Sequence, residues 1–336
     1  MSIQLKLSCA IFATMLTACG DGDKPATPDA PSITVDAPIA AKTIVGVATE
    51  VPTLSTLVAV VQFASDNNDL VNLLNNPGTL TVFAPSNAAF DALAIELTGS
   101  ATAKAADLLT ATNKPLLRTV LKYHVLTSTV KAAGIPFGKA ITSAEGSIFK
   151  IDAGTPPKIT DGRNRISNIT ATDILASNGV VHLVDKVLLP ANQDIVETAQ
   201  AAAAGTPPQF TILVEAVIEA NLVATLKGTG PFTVFAPTDA AFAAVLTERG
   251  LTKAQLFANK PLLTKILTYH VLAGRVLKAD VPVGPAIATL GTGTFKVSAA
   301  LKITDANNRE SSIVRTDILT KNGVIHVIDK VLLPAL

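Results

Sequence analysis

At 336 residues, with 49% apolar and 16% charged side chains, the chain is long enough for two globular domains and too apolar to be disordered. A formal net charge of +1 without a dense Lys/Arg cluster excludes the concentrated basic footprint that nucleic-acid phosphates require. Two cysteines, one of them Cys9 near the start, exclude a disulfide framework.

The first element in chain order is an export signal over residues 1–18. Met1 to Lys6 carry one positive charge, and Leu7 to Leu16 form an apolar core too short to span a bilayer as a mature helix. Leu16-Thr17-Ala18-Cys19 comes next and resembles the bacterial lipobox, in which the cysteine is acylated and becomes the new N-terminus. The alternative is an ordinary signal cleaved near Ala18, with Cys19 incidental. Lipidation gives the lone mature thiol a purpose, and Gly20 after it, rather than aspartate, points to an outer-membrane lipoprotein, periplasm-facing or surface-exposed. Residues 19–42, rich in Asp, Pro, Ala and Thr without apolar periodicity, read as a flexible tether.

The remainder is a tandem duplication. Thr81-Val-Phe-Ala-Pro-Ser-Asn-Ala-Ala-Phe90 matches the segment beginning at Thr233 at eight of ten positions, and Lys114–Leu126 matches Lys260–Leu272 at nine of thirteen. Lys158–Pro190 matches Lys302–Pro334 at 22 of 33. The offsets fall from 152 to 146 to 144, so copy one carries six extra residues around Glu96–Asn113, read as a loop extension. The copies occupy 43–190 and 194–334.

Each copy opens with a helical pattern, Leu54, Leu57, Val58 and Val61 or Leu213, Val217 and Ile218. A short strand comes next, Thr81–Phe83 or Thr233–Phe235. Ala-Pro breaks it, and Ser86 or Thr238 is placed to cap the next helix. The Lys-Pro-Leu-Leu segments read as amphipathic helices with proline in the first turn, and Leu117, Val120, Leu121 and His124 share one face. The rest of each copy is β-like. In copy one it comprises Ile148–Ile151, Lys158–Thr160 and an Asp161-Gly162 turn. A closing strand then runs to Pro190 or Pro334 behind an Asn-Gly turn whose residues tolerate positive φ. Helices and mostly antiparallel strands in blocks give an α+β class.

The Thr-Val-Phe-Ala-Pro block, the Tyr-His pair and the Asn-Gly-Val-(Val/Ile)-His-x-(Val/Ile)-Asp-Lys-Val-Leu-Leu-Pro block together resemble the fasciclin domain, in order, in both copies. The resemblance implies two tandem fasciclin domains, each a wedge-like β-sandwich with a helical layer. It also implies an extracellular or envelope-displayed adhesion or matrix module, acting on a cell-surface or matrix protein, a polysaccharide, or a like molecule. Two family segments tied to adhesion fall on Tyr123-His124 and Tyr269-His270, and on Asp173-Ile174 and Asp317-Ile318. Where the integrin-binding version has Asn-Lys, this chain has Ala171-Thr172 and Arg315-Thr316, so integrin binding is not implied.

All four histidines lie at repeat-equivalent places: His124 with His270, and His182 with His326. Three roles are open to them, a hydrogen-bonded core, support of a ligand contact, or a metal. The core is favoured, because zinc needs three or four ligands and burying an unpaired imidazole costs a few kcal/mol. For Asp173 and Asp317 the alternatives are satisfying a turn and touching a partner directly. Asp185 and Asp329, inside the closing strand, read as paired with a lysine or backbone donor rather than catalytic. No nucleophile elbow, His-Glu-x-x-His or phosphate loop occurs, and no cofactor is implied. The expectation is a non-catalytic, lipid-anchored adhesion protein of the cell envelope. Its alternative is a periplasm-facing protein that binds a small molecule or polysaccharide, or serves in envelope stress.

Overall fold

The computed structural model describes residues 42–335. The export signal, Cys19 and nearly all of the tether lie outside them. Both repeats belong to one compact unit.

Repeat one begins with three helices, α1 (Ile44–Glu50), α2 (Ser55–Ala64) and α3 (Asp69–Asn75). Strand β1 (Leu80–Pro85), α4 (Asn87–Thr98) and α5 (Lys114–Tyr123) come after them. Six more strands complete it: β2 (Val125–Leu126), β3 (Ala140–Thr142), β4 (Ile148–Asp152), β5 (Lys158–Thr160), β6 (Ile166–Ala176) and β7 (Gly179–Val184). Their order in the sheet is β2-β1-β7-β6-β5-β4-β3. Every pairing is antiparallel except β1 with β7.

Repeat two has the same plan. It has α6 (Ile195–Ala203), α7 (Thr211–Glu219), α8 (Val223–Leu226), β8 (Phe232–Pro237), α9 (Asp239–Arg249), α10 (Lys253–Ala258) and α11 (Lys260–Tyr269). Then come β9 (Val271–Ala273), β10 (Ala286–Ala288), β11 (Thr294–Val297), β12 (Lys302–Thr304), β13 (Glu310–Thr320) and β14 (Gly323–Ile328), in the equivalent sheet order.

Strand β1 is buried on both faces and splits its side chains between two cores. Val82 and Ala84 pack with Leu57, Val61, Phe90 and Leu117 under the helical layer. Phe83 packs with Phe149, Ile151, Ile159 and Val184 between the strands. This is the alternation of a strand with apolar surroundings on either side. Strand β6 joins the two halves of the sheet, and register shifts on either side of Ala171 bend it, so that one end pairs with β5 and the other with β7.

Ser86 Oγ accepts the Ala89 amide at 3.3 Å and Thr238 Oγ1 accepts that of Ala241 at 3.2 Å, so both helices start as their sequence dictates. Three expectations are corrected. Ala-Pro does not break the short strands, which run on through Pro85 and Pro237. The closing strands end at Val184 and Ile328 rather than at the prolines. Asp185 Oδ1 takes the Asn168 amide at 2.7 Å, and Asp329 Oδ1 that of Ser312 at 2.7 Å, so a side chain replaces the ladder bond. The Asn-Gly turn also works differently from a pair of positive-φ residues. Asn178 is buried and not left-handed: its Oδ1 accepts the Ile44 amide at 2.9 Å while its Nδ2 donates to the carbonyls of Leu74 and Asn76. Asn322 holds Ile195, Leu226 and Gly228 in the same way.

Candidate functional site

The Tyr-His segments are interior. Tyr123 and Tyr269 are fully buried at the ends of α5 and α11. The Tyr123 hydroxyl donates to the Ile148 carbonyl at 2.6 Å and accepts the Gly162 amide at 2.8 Å, while that of Tyr269 bonds Thr294 and Ala306 in the same pattern. Burial, helped by the Asp161 carboxylate, pushes the Tyr123 phenol well above its ordinary value. Tyr123→Phe strands two buried backbone groups and is expected to cost about 1–3 kcal/mol in urea unfolding. An unchanged midpoint would mean that water replaces the hydroxyl.

His124 Nδ1 donates to the Val120 carbonyl at 2.7 Å, and its Nε2 accepts the Leu188 amide at 2.9 Å. His270 does the same with Ile266 and Leu332. Each ring ties the end of a helix to the chain beyond the closing strand, and one nitrogen must accept, so the imidazole is neutral. Burial lowers both to about 4. His182 Nε2 donates to the Val130 carbonyl at 2.8 Å and its Nδ1 accepts the Asp173 amide at 3.2 Å, with the ring against Phe83. His326 repeats this with Val276, Asp317 and Phe235, and burial lowers it below the usual histidine value. A partner docking on the folded protein meets none of these six rings, all of which are at most 2% exposed.

Asp173 and Asp317 both adopt left-handed backbone, φ 58° and 59°, and both satisfy a backbone amide: Asp173 that of Ala132 at 2.9 Å, Asp317 that of Lys278 at 2.7 Å. The identical segments then part. In repeat one Asp173 is exposed, Ile174 is half-buried, and Leu175 is 43% exposed. In repeat two Asp317 is 4% exposed and Leu319 2%, because repeat one covers them, while Ile318, at 9%, packs in the core of its own repeat.

Three contacts make that cover. Lys150 Nζ on β4 donates to Asp317 Oδ2 at 2.9 Å. Burial lowers Lys150, but the hydrogen bond and charge of Asp317 outweigh it, and its pKa lies above the ordinary lysine value. Asn164 lies opposite Leu319, its Oδ1 accepting the Leu319 amide at 2.7 Å and its Nδ2 donating to the Leu319 carbonyl at 3.0 Å. Ile148 joins Leu277, Leu319 and Val324 in one apolar cluster, and Lys139 pairs with Asp280 at 2.7 Å beside it. Next to this junction lies an open groove of about 560 Å³, lined by Phe137, Lys150, Asp152, Lys278, Thr316 and Asp317. No cluster of His, Cys, Asp or Glu suited to a metal ion occurs among the described residues.

Sequence reasoning singled out the Asp-Ile segments but missed Ile148, Lys150 and Asn164 as their cover. Asn164 and Lys150 each have an identical residue in the other copy, Asn308 and Lys296, which was the available signal. It also missed Asp161 and Asp305, buried carboxylates that collect the amides of Arg165 and Leu189, and of Arg309 and Leu333.

Comparison with known proteins gives the lineage. The fasciclin-domain family model matches residues 52–190 and 208–334. The rabbit (Oryctolagus cuniculus) transforming growth factor-beta-induced protein ig-h3 is 30% identical over 262 residues, 78% of this chain and 35% of its own length. The chain thus spans about a third of that relative. Protein sll1483 of Synechocystis is 42% identical over 151 residues, 44% of this chain and 79% of its own. The immunogenic protein MPB70 of Mycobacterium bovis is 34% identical over 151 residues, 42% of this chain and 72% of its own. A solved fasciclin-domain pair from the insect cell adhesion molecule Fasciclin I aligns with TM-score 0.40 at 18% identity, covering 84% of this chain and 97% of that one. With the family model matched twice over most of its length, the chain belongs to the fasciclin-domain family and carries the domain in tandem.

Proposed function

We propose that this protein is a non-catalytic adhesion or matrix-interaction module of a Gram-negative cell envelope, held to the outer membrane by lipid on Cys19. One observation supports the reading best: the Asp173-Ile174-Leu175 segment stands open, while its twin in the second domain is consumed inside the chain. An exposed leucine beside an aspartate whose backbone is pinned by His182 is a preorganised contact. The function itself comes by family analogy, so the test must be direct.

Leu175→Glu is expected to lower attachment of cells bearing the full protein roughly tenfold, as loss of an interface anchor does. Val314→Glu, at an exposed valine of β13, serves as the control and should leave attachment intact. Equal attachment in the wild type and Leu175→Glu would overturn the reading. Accumulation of unprocessed precursor under globomycin tests the lipid on Cys19, and protease shaving of intact cells tests outward display. The second reading, binding of a small molecule or polysaccharide, draws on the groove of about 560 Å³ at the domain junction.

A further inference from the structure

The junction inside the chain joins two different surfaces. Domain one contributes the edge bearing Lys150 and Asn164, and domain two contributes the face bearing Asp317 and Leu319. Because the domains are copies, each also carries the surface it does not use. Domain one presents a free Asp173–Leu175 face, and domain two presents a free edge with Lys296 on β11 and Asn308 in the turn before β13.

The unused pair keeps the polar register of the used one. Lys296 corresponds to Lys150 and Asn308 to Asn164; both asparagines are left-handed, φ 56° and 61°. Lys150 and Asn164 are part-buried at the junction, whereas Lys296 and Asn308 are exposed, and Lys296 makes no ion pair among the described residues. The tight approach of Gly138 to Ala279 has its equivalents in Gly284 and Ala133. Exposed Leu175, at 43%, and Val283, at 54%, supply apolar area on the two free surfaces.

We infer that the free Asp173–Leu175 face of one molecule docks on the Lys296/Asn308 edge of a second copy, repeating the internal junction between molecules in a head-to-tail chain. Asp173 meets Lys296 as Asp317 meets Lys150, and Asn308 meets the backbone of Leu175 as Asn164 meets that of Leu319. Such a contact is heterologous, so each pair of molecules still offers one free face and one free edge and can add further copies. It is weaker than the internal junction, because Thr294 and Lys131 replace Ile148 and Leu277, and Pro285 and Gly134 replace the Lys139–Asp280 pair. Association therefore belongs to crowded molecules on a surface, where tethering raises the effective concentration. The inference rests on the adhesion reading and names the partner of the same face.

The test uses the full chain in its own envelope. Leu175→Cys with Thr294→Cys places thiols at the positions of Leu319 and Ile148, which share one apolar cluster inside the chain. A short bismaleimide is expected to yield trimers and longer products from the double variant, at most dimers from either single variant, and none from the wild type. Lys296→Glu added to the double variant should cut trimers and longer products roughly tenfold, since it opposes Asp173 with a like charge. Asn308→Gly, which keeps the left-handed turn without the amide, should also reduce them. A double variant that never exceeds dimers, or a ladder indifferent to Lys296→Glu, overturns the inference. Attachment is scored in parallel: loss of attachment in Leu175→Glu, with no ladder from the double cysteine variant, overturns self-docking and leaves the adhesion reading standing. A charge-sensitive ladder with attachment intact in Leu175→Glu does the opposite.

Discussion

Gly179→Ala is expected to destabilise the first domain by about 3–5 kcal/mol, enough to leave much of it unfolded at 37 °C. Gly179 opens β7 at φ 157°, and an added Cβ would overlap the carbonyl oxygen of Leu80 in the neighbouring strand. That oxygen belongs to backbone in the centre of the sheet, so relief requires β1 and β7 to separate. Strain at a disfavoured φ contributes about 1–3 kcal/mol and overpacking a similar amount. Gly99→Ala isolates the first contribution: its φ is 71°, but nothing lies within 4 Å of the new Cβ, so about 1–2 kcal/mol is expected. Urea unfolding monitored by circular dichroism compares the two. A Gly179→Ala cost no greater than that of Gly99→Ala would show that the strands yield easily. Gly323→Ala, whose Cβ would overlap the carbonyl of Phe232, makes the same demand of the second domain.

In the sequence this glycine is half of an Asn-Gly pair, which local turn chemistry alone would explain. The turn is there, between Ala176 and Gly179, but the reasons for both residues are tertiary. Asn178 fastens the first helix, and Gly179 admits a strand that is distant in sequence. Local signals were dependable where the cause was local: the Ser86 and Thr238 caps, the proline-led helices, and the position of the six-residue extension before α5. They failed for α1, α3 and α8. At seven, seven and four residues these helices have too few turns to show an amphipathic period, and tertiary packing holds them, α1 on β7, α3 on α1 and α2, and α8 on α6.

The asymmetry of the Asp-Ile-Leu segments was not legible at all, for a simple reason. Asp173-Ile174-Leu175 and Asp317-Ile318-Leu319 are the same three residues in the same turn. Only the neighbour across the junction makes one buried and the other exposed. A repeat comparison assigns such twins equal roles. The fold assigns one to holding the domains together and leaves the other facing outward.

The buried histidines make stability depend on pH in a window set by their own shifts. His124 and His270 have pKa values of about 4 in the folded protein against 6.5 for the free side chain. Between those values the unfolded chain binds more protons than the folded one, so stability rises with pH there. Their contribution is fully present above pH 6.5 and is lost as the pH falls toward 4. One pKa unit is about 1.4 kcal/mol, so each domain is expected to lose up to about 3 kcal/mol across this range. His326, also lowered by burial, acts in the same direction in domain two. Carboxylates lowered in the folded state, such as Asp185, act below their ordinary value of 3.8 and leave the histidine window nearly clear. Urea unfolding at steps from pH 7 to pH 4 should show this decline. The double variant His124→Gln, His270→Gln should be less stable at pH 7, having loosened the Leu188 and Leu332 amides, and its stability should vary much less with pH. Wild-type stability that stays flat down to pH 4.5 would mean that the imidazoles find a way to ionise inside the fold. If instead the double variant declines as steeply as the wild type, the proton uptake belongs to other groups.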